Sequence, residues 1–381
     1  MKSDAATSTD AIGPGKNHYV ILDGLRGVAA LMVVIFHLFE PFSFGDPQRQ
    51  IVNHGYLAVD FFFLLSGFVI AYAYDDRWGD MSVGDFIRRR IVRLHPMVVL
   101  GGVFGALLFA FQTSSAFPKI EGNSAGYVIA VMLLGFTMIP LPKSADLRGW
   151  DEIYPLNGPQ WSLFYEYVAN ILYAIGLRRL SNRAMATLVA AAALALLHLA
   201  VFGPRGDLIG GWALDFNGIR IGLSRVIFPF FAGVLMKRLG ARIRIRHAFA
   251  IGSLLLVAAL SLPRFGGPDH LWLNGIYEAG CVILVFPLIV ALGAGQKTVD
   301  GASVRVARFF GDLSFPLYIT HFPLIYIYTA WVTDARPGAA EGTLVGVALL
   351  FTAVTIAYVS LRFYDAPARA WLASRLLRRT R

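Results

Sequence analysis

The chain is poor in charge and nearly free of cysteine. Only 15% of its 381 residues are Asp, Glu, Lys or Arg, where a soluble domain carries about a quarter. The single cysteine, Cys281, lies inside an apolar run, which excludes a disulfide framework and a cysteine metal site. Metal-ligand spacings, a P-loop and a dinucleotide fingerprint are all missing; Gly24-Leu-Arg-Gly is too short to cradle a phosphate. There is no internal repeat, no low-complexity block and no large polar domain. Residues 1–17 are polar and contain no apolar core of a signal peptide. They read as a disordered N-terminus, and the first apolar helix reads as a retained insertion signal.

What is present is apolar sequence, 56% of the chain, gathered into runs close to the ~20 residues that cross a bilayer. Eleven segments stand out: His18–Phe39, Tyr56–Tyr74, Met97–Gln112, Ala125–Leu141, Trp161–Leu177, Met185–Phe202, Ile221–Met236, Ala248–Leu262, Gly275–Leu292, Phe309–Trp331 and Gly342–Phe363. The expected fold is all-α, a polytopic transmembrane bundle; a β-barrel would show short alternating segments instead. The net charge of +10 does not imply nucleic acid, because its Lys and Arg fall in short loops between apolar runs. Those loops (77–93, 178–183, 237–246, 297–308 and the tail from 369) place both termini in the cytoplasm by the excess of positive charge. Three apolar segments, 97–112, 125–141 and 161–177, separate two loops assigned to the same side. Parity therefore requires one of them not to span: about ten crossings plus one re-entrant or interfacial piece, with the choice among the three left open. Expected divisions are 1–17, a membrane domain at 18–364, and a basic tail at 365–381 that reads as an amphipathic helix on the inner leaflet.

Arg26 and His37 in the first helix are eleven positions apart. At about 100° per residue they share a face, roughly 16 Å apart along the axis, with Asp23 on nearly the same stripe. Ionisable residues on a lipid-spanning helix face protein or water, so this helix is expected to line a polar passage with His37 as a general base. Asp60 enters helix two at similar depth and could orient the imidazole, though a helix-start Asp also satisfies free N–H groups. Arg88, Arg89, Arg90 and Arg93 precede an apolar segment; such clusters set orientation, and guanidiniums can also grip a polyphosphate. Glu166 is an acid within an apolar segment and needs a partner, while Trp161 competes with a plain interfacial aromatic. Ser314, Tyr318 and His321 fall at i, i+4 and i+7, one further helical face.

The residues resemble a family. LDGLRG with VVIFH, VDFFFLLSGFVI, FIRRRIVRLHP, NGPQWSLFYE, SFPLYITHFPL and a final Tyr364-Asp-Ala-Pro occur together and in order. The chain is identified as similar to the acyltransferase-3 family of bacterial integral membrane O-acyltransferases, which includes O-antigen and exopolysaccharide acetyltransferases. The resemblance implies an acyl group, usually acetyl, taken from cytoplasmic acyl-CoA as a donor substrate, with no permanently bound cofactor and no metal, and passed to a hydroxyl beyond the outer face. It implies His37 as the essential His with Arg26 its partner, Arg88, Arg89, Arg90 and Arg93 as the motif that meets the CoA, and functional roles for Glu166 and Ser314. Two departures stand out. Asp365 replaces the usual Glu, and no hydrolase-like extracytoplasmic domain follows, so a second catalytic unit is expected to be a separate partner protein.

These readings combine into a multi-pass protein of the bacterial inner membrane. His37, helped by Asp60 or Glu166, activates an acceptor hydroxyl, a carbohydrate being the first expectation. Asp23, Trp161, Ser314, Tyr318 and His321 support substrate, and Arg26 with the arginine cluster holds the donor. Two rivals are a secondary transporter of a glycan or lipid, whose paired broken helices are not found, and a structural partner of a polysaccharide machine, which leaves His37 and Arg26 without a task.

Overall fold

Fourteen α-helices joined by loops and short 3-10 or π turns make up the computed structural model, with no strand among the described residues. It describes residues 18–43, 46–295 and 301–377. The polar segment 1–17, residues 297–300 of one expected basic loop and residues 378–381 of the tail lie outside these. In chain order the helices are α1 Val20–Phe39, α2 Ala58–Tyr74, α3 Val83–Leu108, α4 Ala125–Phe136, α5 Gln160–Ile175, α6 Asn182–Phe202 and α7 Phe216–Arg238. Then follow α8 Ala248–Ser261, α9 Trp272–Gly280, α10 Phe286–Gly295, α11 Ala302–Thr320, α12 Phe322–Ala335, α13 Ala339–Ser360 and α14 Ala366–Leu376. A π turn ahead of Pro287 joins α9 to α10, and another ahead of Pro367 joins α13 to α14.

Seven of the described helical stretches are long and apolar enough to cross a membrane. They are Val20–Ser43, Gly55–Tyr74, Val83–Gln112, Asn182–Phe202, Phe216–Arg238, Trp272–Gly295 and Ala339–Leu376. The chain is a multi-pass helical membrane protein. The three segments that raised the parity question separate by length. α3 has 26 residues, α5 has 16 and α4 only 12. At 1.5 Å per residue α4 rises about 18 Å, well short of the ~30 Å hydrocarbon core. The chain returns from α4 through residues 137–159, irregular apart from a 3-10 turn at Lys143–Ala145, whose last stretch, from Glu152 to Pro159, is buried throughout. Its backbone is satisfied internally: Leu141 N–H donates to Ile153 O and Ile153 N–H to Trp212 O. Irregular backbone can be buried when its polar groups are paired.

Two expected boundaries need correction. Residues 77–93 are not a loop: α3 begins at Val83, fourteen residues before the apolar periodicity at Met97. The Ser82 hydroxyl accepts from Asp85 N–H, and Asp85 accepts from Ser82 N–H, a capping box that starts a helix which arginine sustains well. The run Phe309–Trp331 is two helices that meet at His321. Pro323 has no N–H to give the Ile319 carbonyl, and Asn157 Nδ2 donates to that carbonyl instead, at 2.9 Å. The tail is helical as far as Leu376 and packs on α3.

Two helix pairs make the frame, α1 on α11 and α2 on α7. Both rest on small residues that let backbones touch. A Cβ on Gly27 would collide with the Phe310 carbonyl, and one on Gly67 with that of Phe230. The first of these close approaches brings the polar stripe of α1 against that of α11.

Candidate active site

Arg26, on α1, reaches α11 through that close approach. Its Nε donates to Ser314 Oγ at 2.8 Å and its Nη2 to the Gly311 carbonyl at 3.2 Å. Asp23, one turn earlier, takes the same guanidinium at 2.9 Å and His18 Nε2 at 3.0 Å. Ser314 completes the knot by donating to Gly311 O at 2.7 Å.

His37 lies at the other end of the same stripe, in the last turn of α1. Its Nδ1 is 2.8 Å from Glu40 Oε2. A carboxylate accepts only, so Nδ1 carries the hydrogen and Nε2 is left as a base. The His37 ring stacks on His321, at the junction of α11 and α12, with centroids 5.6 Å apart, and the Phe322 ring meets its edge at 4.8 Å. His321 is fully buried; its Nδ1 donates to Leu317 O at 3.0 Å, and its Nε2 has no hydrogen-bond partner in the described structure. Two residue pairs, Arg26 with Ser314 and His37 with His321, thus cross the same helix interface about two turns of α11 apart.

Each end of the stripe opens on a cavity. The arginine-end cavity, about 280 Å³, is lined by Arg26, Arg89, Arg90, Arg93, Glu166 and Arg369 among others. The histidine-end cavity, about 410 Å³, is lined by His37, Glu40, Glu152, Trp161, Trp212 and Arg225 among others. Val59 and Tyr318 line both. Between them the Tyr318 hydroxyl lies 2.7 Å from Ser162 Oγ.

The charges in the arginine-end cavity are unevenly spent. Arg26 is paired with Asp23, Arg90 with Glu166 at 2.7 Å, and Arg369 with Asp365 at 2.8 Å. Glu166 also accepts from Ser66 at 2.7 Å. Arg93 has Arg26 and Arg369 as cationic neighbours and Asp365 and Asp23 as anionic ones, and among the described residues neither Arg93 nor Arg89 makes an ion pair of its own. Arg88 stands apart: it is exposed, bonded to Asp85 at 3.1 Å, and does not line the cavity.

Asp60 and Glu166 do not meet His37. Asp60 is buried against Arg225 of α7, whose Nη2 is 2.6 Å and Nε 3.2 Å from its oxygens. Arg225 also donates to the Gly210 and Tyr56 carbonyls and lies 5.1 Å over the Trp161 ring. A buried Arg in an apolar helix must take the nearest buried carboxylate, and Asp60 is that carboxylate. Glu166 is drawn to the opposite end by Arg90. Trp161 is buried in the histidine-end cavity rather than at a lipid interface.

Three residues of this site were not singled out in the sequence. Glu40, three positions after His37, was readable from helical spacing. Arg225, a cation inside the segment Ile221–Met236, carried the same intramembrane signal as Arg26. Glu152 carried none, because only the fold of the loop before α5 brings it to the cavity. It accepts from Tyr326, whose hydroxyl lies 2.6 and 2.7 Å from its two oxygens, with Arg148 Nη1 4.0 Å away. Burial pushes its carboxyl up to about 7, against the pull of Arg148.

Comparison with known proteins adds a family. A family model described as an acyltransferase domain matches residues 19–362. A protein of the picA locus of Rhizobium radiobacter is 36% identical over 163 residues, 41% of this chain and 81% of that protein. The acyltransferase MdmB of Streptomyces mycarofaciens is 27% identical over 320 residues, 80% of this chain and 78% of that one. The O-acetyltransferase OatA of Staphylococcus aureus is 23% identical over 366 residues, 91% of this chain but 57% of the relative. No solved structure matches.

Proposed function

The chain belongs to the acyltransferase family whose model it matches, and from that premise we propose that it carries an acyl group, acetyl first, from cytoplasmic acyl-CoA to a hydroxyl on the far side of the membrane. A glycan is the first acceptor to test. The observation that carries this reading is a pair of cavities that share Tyr318 and Val59 in their walls, one lined by arginines and the other by a histidine whose second ring nitrogen is left as a base.

The excess of Lys and Arg puts the arginine end in the cytoplasm. Coenzyme A phosphates bind to guanidiniums through charge-assisted bonds, and Arg93 and Arg89, which line this cavity without an ion pair of their own, are the cations most available to them. Arg26 and Arg90, already paired, shape the cavity through Ser314 and Glu166. The thin pantetheine arm extends along α1 toward Val59 and Tyr318 and presents the thioester to the second cavity.

The acceptor enters from the histidine end, among Trp161, Trp212 and Trp150. Its oxygen attacks the thioester carbonyl while its proton passes to His37 Nε2. The carbon–sulfur bond breaks and the thiolate takes that proton from the imidazolium, so ester and free coenzyme A thiol leave with all atoms accounted for. Glu40 holds the ring in the tautomer this step needs, the part an acid plays behind a catalytic imidazole elsewhere. Asp60 and Arg225 position the wall.

The test is transfer of label from acetyl-CoA supplied to inside-out membrane vesicles. The wild-type chain labels membrane or glycan material; His37→Ala, inserted to the same level, does not. Equal labelling by both ends the proposal.

A further inference from the structure

The donor cations and the histidine lie in different cavities that share wall residues, so on the reading above the acyl group has to pass those residues to reach His37. Among the described residues two line both, Val59 of α2 and Tyr318 of α11, and both are buried. Tyr318 is held from three sides. Its hydroxyl bonds Ser162 Oγ at 2.7 Å and reaches the Pro159 carbonyl at 3.4 Å, and the Phe62 ring meets it edge-on with centroids 5.4 Å apart. Val59 is held through its neighbour Asp60, which the Arg225 guanidinium grips from α7. It is held further along α2 by the glycine contacts of Gly67 and Gly233, which leave α2 no room to approach or slide on α7.

We propose that Val59 and Tyr318 form a sizing partition that sets the length of the acyl group passed to the acceptor. This rests on the acyl-CoA reading above. A thioester carbon that must meet a hydroxyl from the histidine end sits at the partition, and its acyl tail then lies between a valine isopropyl and a phenol ring. Both walls are fixed by bonds to other helices, so they cannot yield to a longer tail as a flexible side chain would. A rigid apolar gap discriminates by about 10–200-fold for each methylene. Neither residue transfers a proton here; both act as specificity residues through the space they leave.

The experiment compares label transfer from acetyl-, propionyl- and butyryl-CoA in inside-out vesicles carrying the wild-type chain, Val59→Ala, Val59→Ile and Tyr318→Leu. The wild type favours acetyl. Val59→Ala and Tyr318→Leu raise the butyryl-to-acetyl ratio by about tenfold or more, and Val59→Ile lowers the propionyl-to-acetyl ratio. The opposite directions expected at position 59 separate a sizing effect from general damage. If the wild type transfers acetyl and all three variants keep its ratios within about twofold, the partition is overturned and the donor reading stands. If the wild type transfers label from none of the three thioesters, the donor reading falls and takes this inference with it.

Discussion

Replacement of Glu40 probes the candidate catalytic pair with the least disturbance to the fold. Glu40 is 45% exposed on its side chain and touches His37 through one 2.8 Å bond, while the His37 side chain is 17% exposed. Glu40→Gln keeps an acceptor oxygen at nearly the same place and removes only the charge. A charge-assisted bond contributes about 1.5–3 kcal/mol, and each 1.4 kcal/mol is a factor of ten in rate. Half-exposure admits water and screens the carboxylate, so the lower end applies. Glu40→Gln should slow transfer by roughly tenfold. Glu40→Ala, which also frees the ring to turn, should slow it by up to about a hundredfold. His37→Ala removes the base itself and should cost about 10²–10⁴. The assay is the initial rate of label transfer at saturating acetyl-CoA, with insertion checked by immunoblot of the membranes. Full activity in both Glu40 variants would show that the carboxylate neither orients nor assists the imidazole. A slower Gln than Ala variant would show that the argument from ring orientation has the wrong sign.

The remaining expectations concern the supporting charges. Asp60→Asn strands the Arg225 guanidinium, and breaking a buried pair costs about 3–5 kcal/mol, so the solubilised variant should melt well below wild type. Asp60→Asn with Arg225→Met should recover part of the loss, and a thermal shift series reads both. Arg93→Gln should raise the apparent KM for acetyl-CoA by about tenfold, one lost charge-assisted contact. Arg88→Gln, on an exposed residue bonded to Asp85, should leave KM within about twofold; equal effects would remove the distinction between the two. Glu152 binds its proton more tightly folded than unfolded, because burial raises its carboxyl from 4.5 to about 7. Folding stability from this group therefore falls as pH rises from about 4.5 to 7. Glu152→Gln, which cannot ionise, should gain in melting temperature relative to wild type between pH 5 and pH 8; a difference that does not change with pH refutes the assignment.

The stripe on α1 was legible because a helix repeats every 3.6 residues, and that period alone puts Asp23, Arg26 and His37 on one face. The matching stripe of Ser314, Tyr318 and His321 was legible for the same reason, and the structure seats one on the other. The partners of the acids were not legible. Asp60 and His37 lie at similar depth along their own helices, but depth does not give rotation. α2 presents Asp60 to α7, where Arg225 waits, and not to α1. Glu166 follows Arg90 because α5 crosses the arginine turns of α3. The start of α3 escaped detection because four arginines between Arg88 and Arg93 interrupt its apolar positions Phe86, Ile87, Ile91 and Leu94, although Ser82 and Asp85 mark its cap.

Composition and periodicity determined that this chain is a helical bundle in a membrane, that its first helix carries a cation and an imidazole on one side, and that its Lys and Arg gather between apolar runs. Each of these follows from neighbours along the chain or from the cost of placing charge in lipid. Tertiary structure decided which carboxylate bonds the imidazole, which arginines are left without an ion pair, and which residues the two cavities share. Those outcomes depend on how whole helices are rotated and spaced against one another, through contacts such as Gly27 on Phe310, between residues hundreds of positions apart.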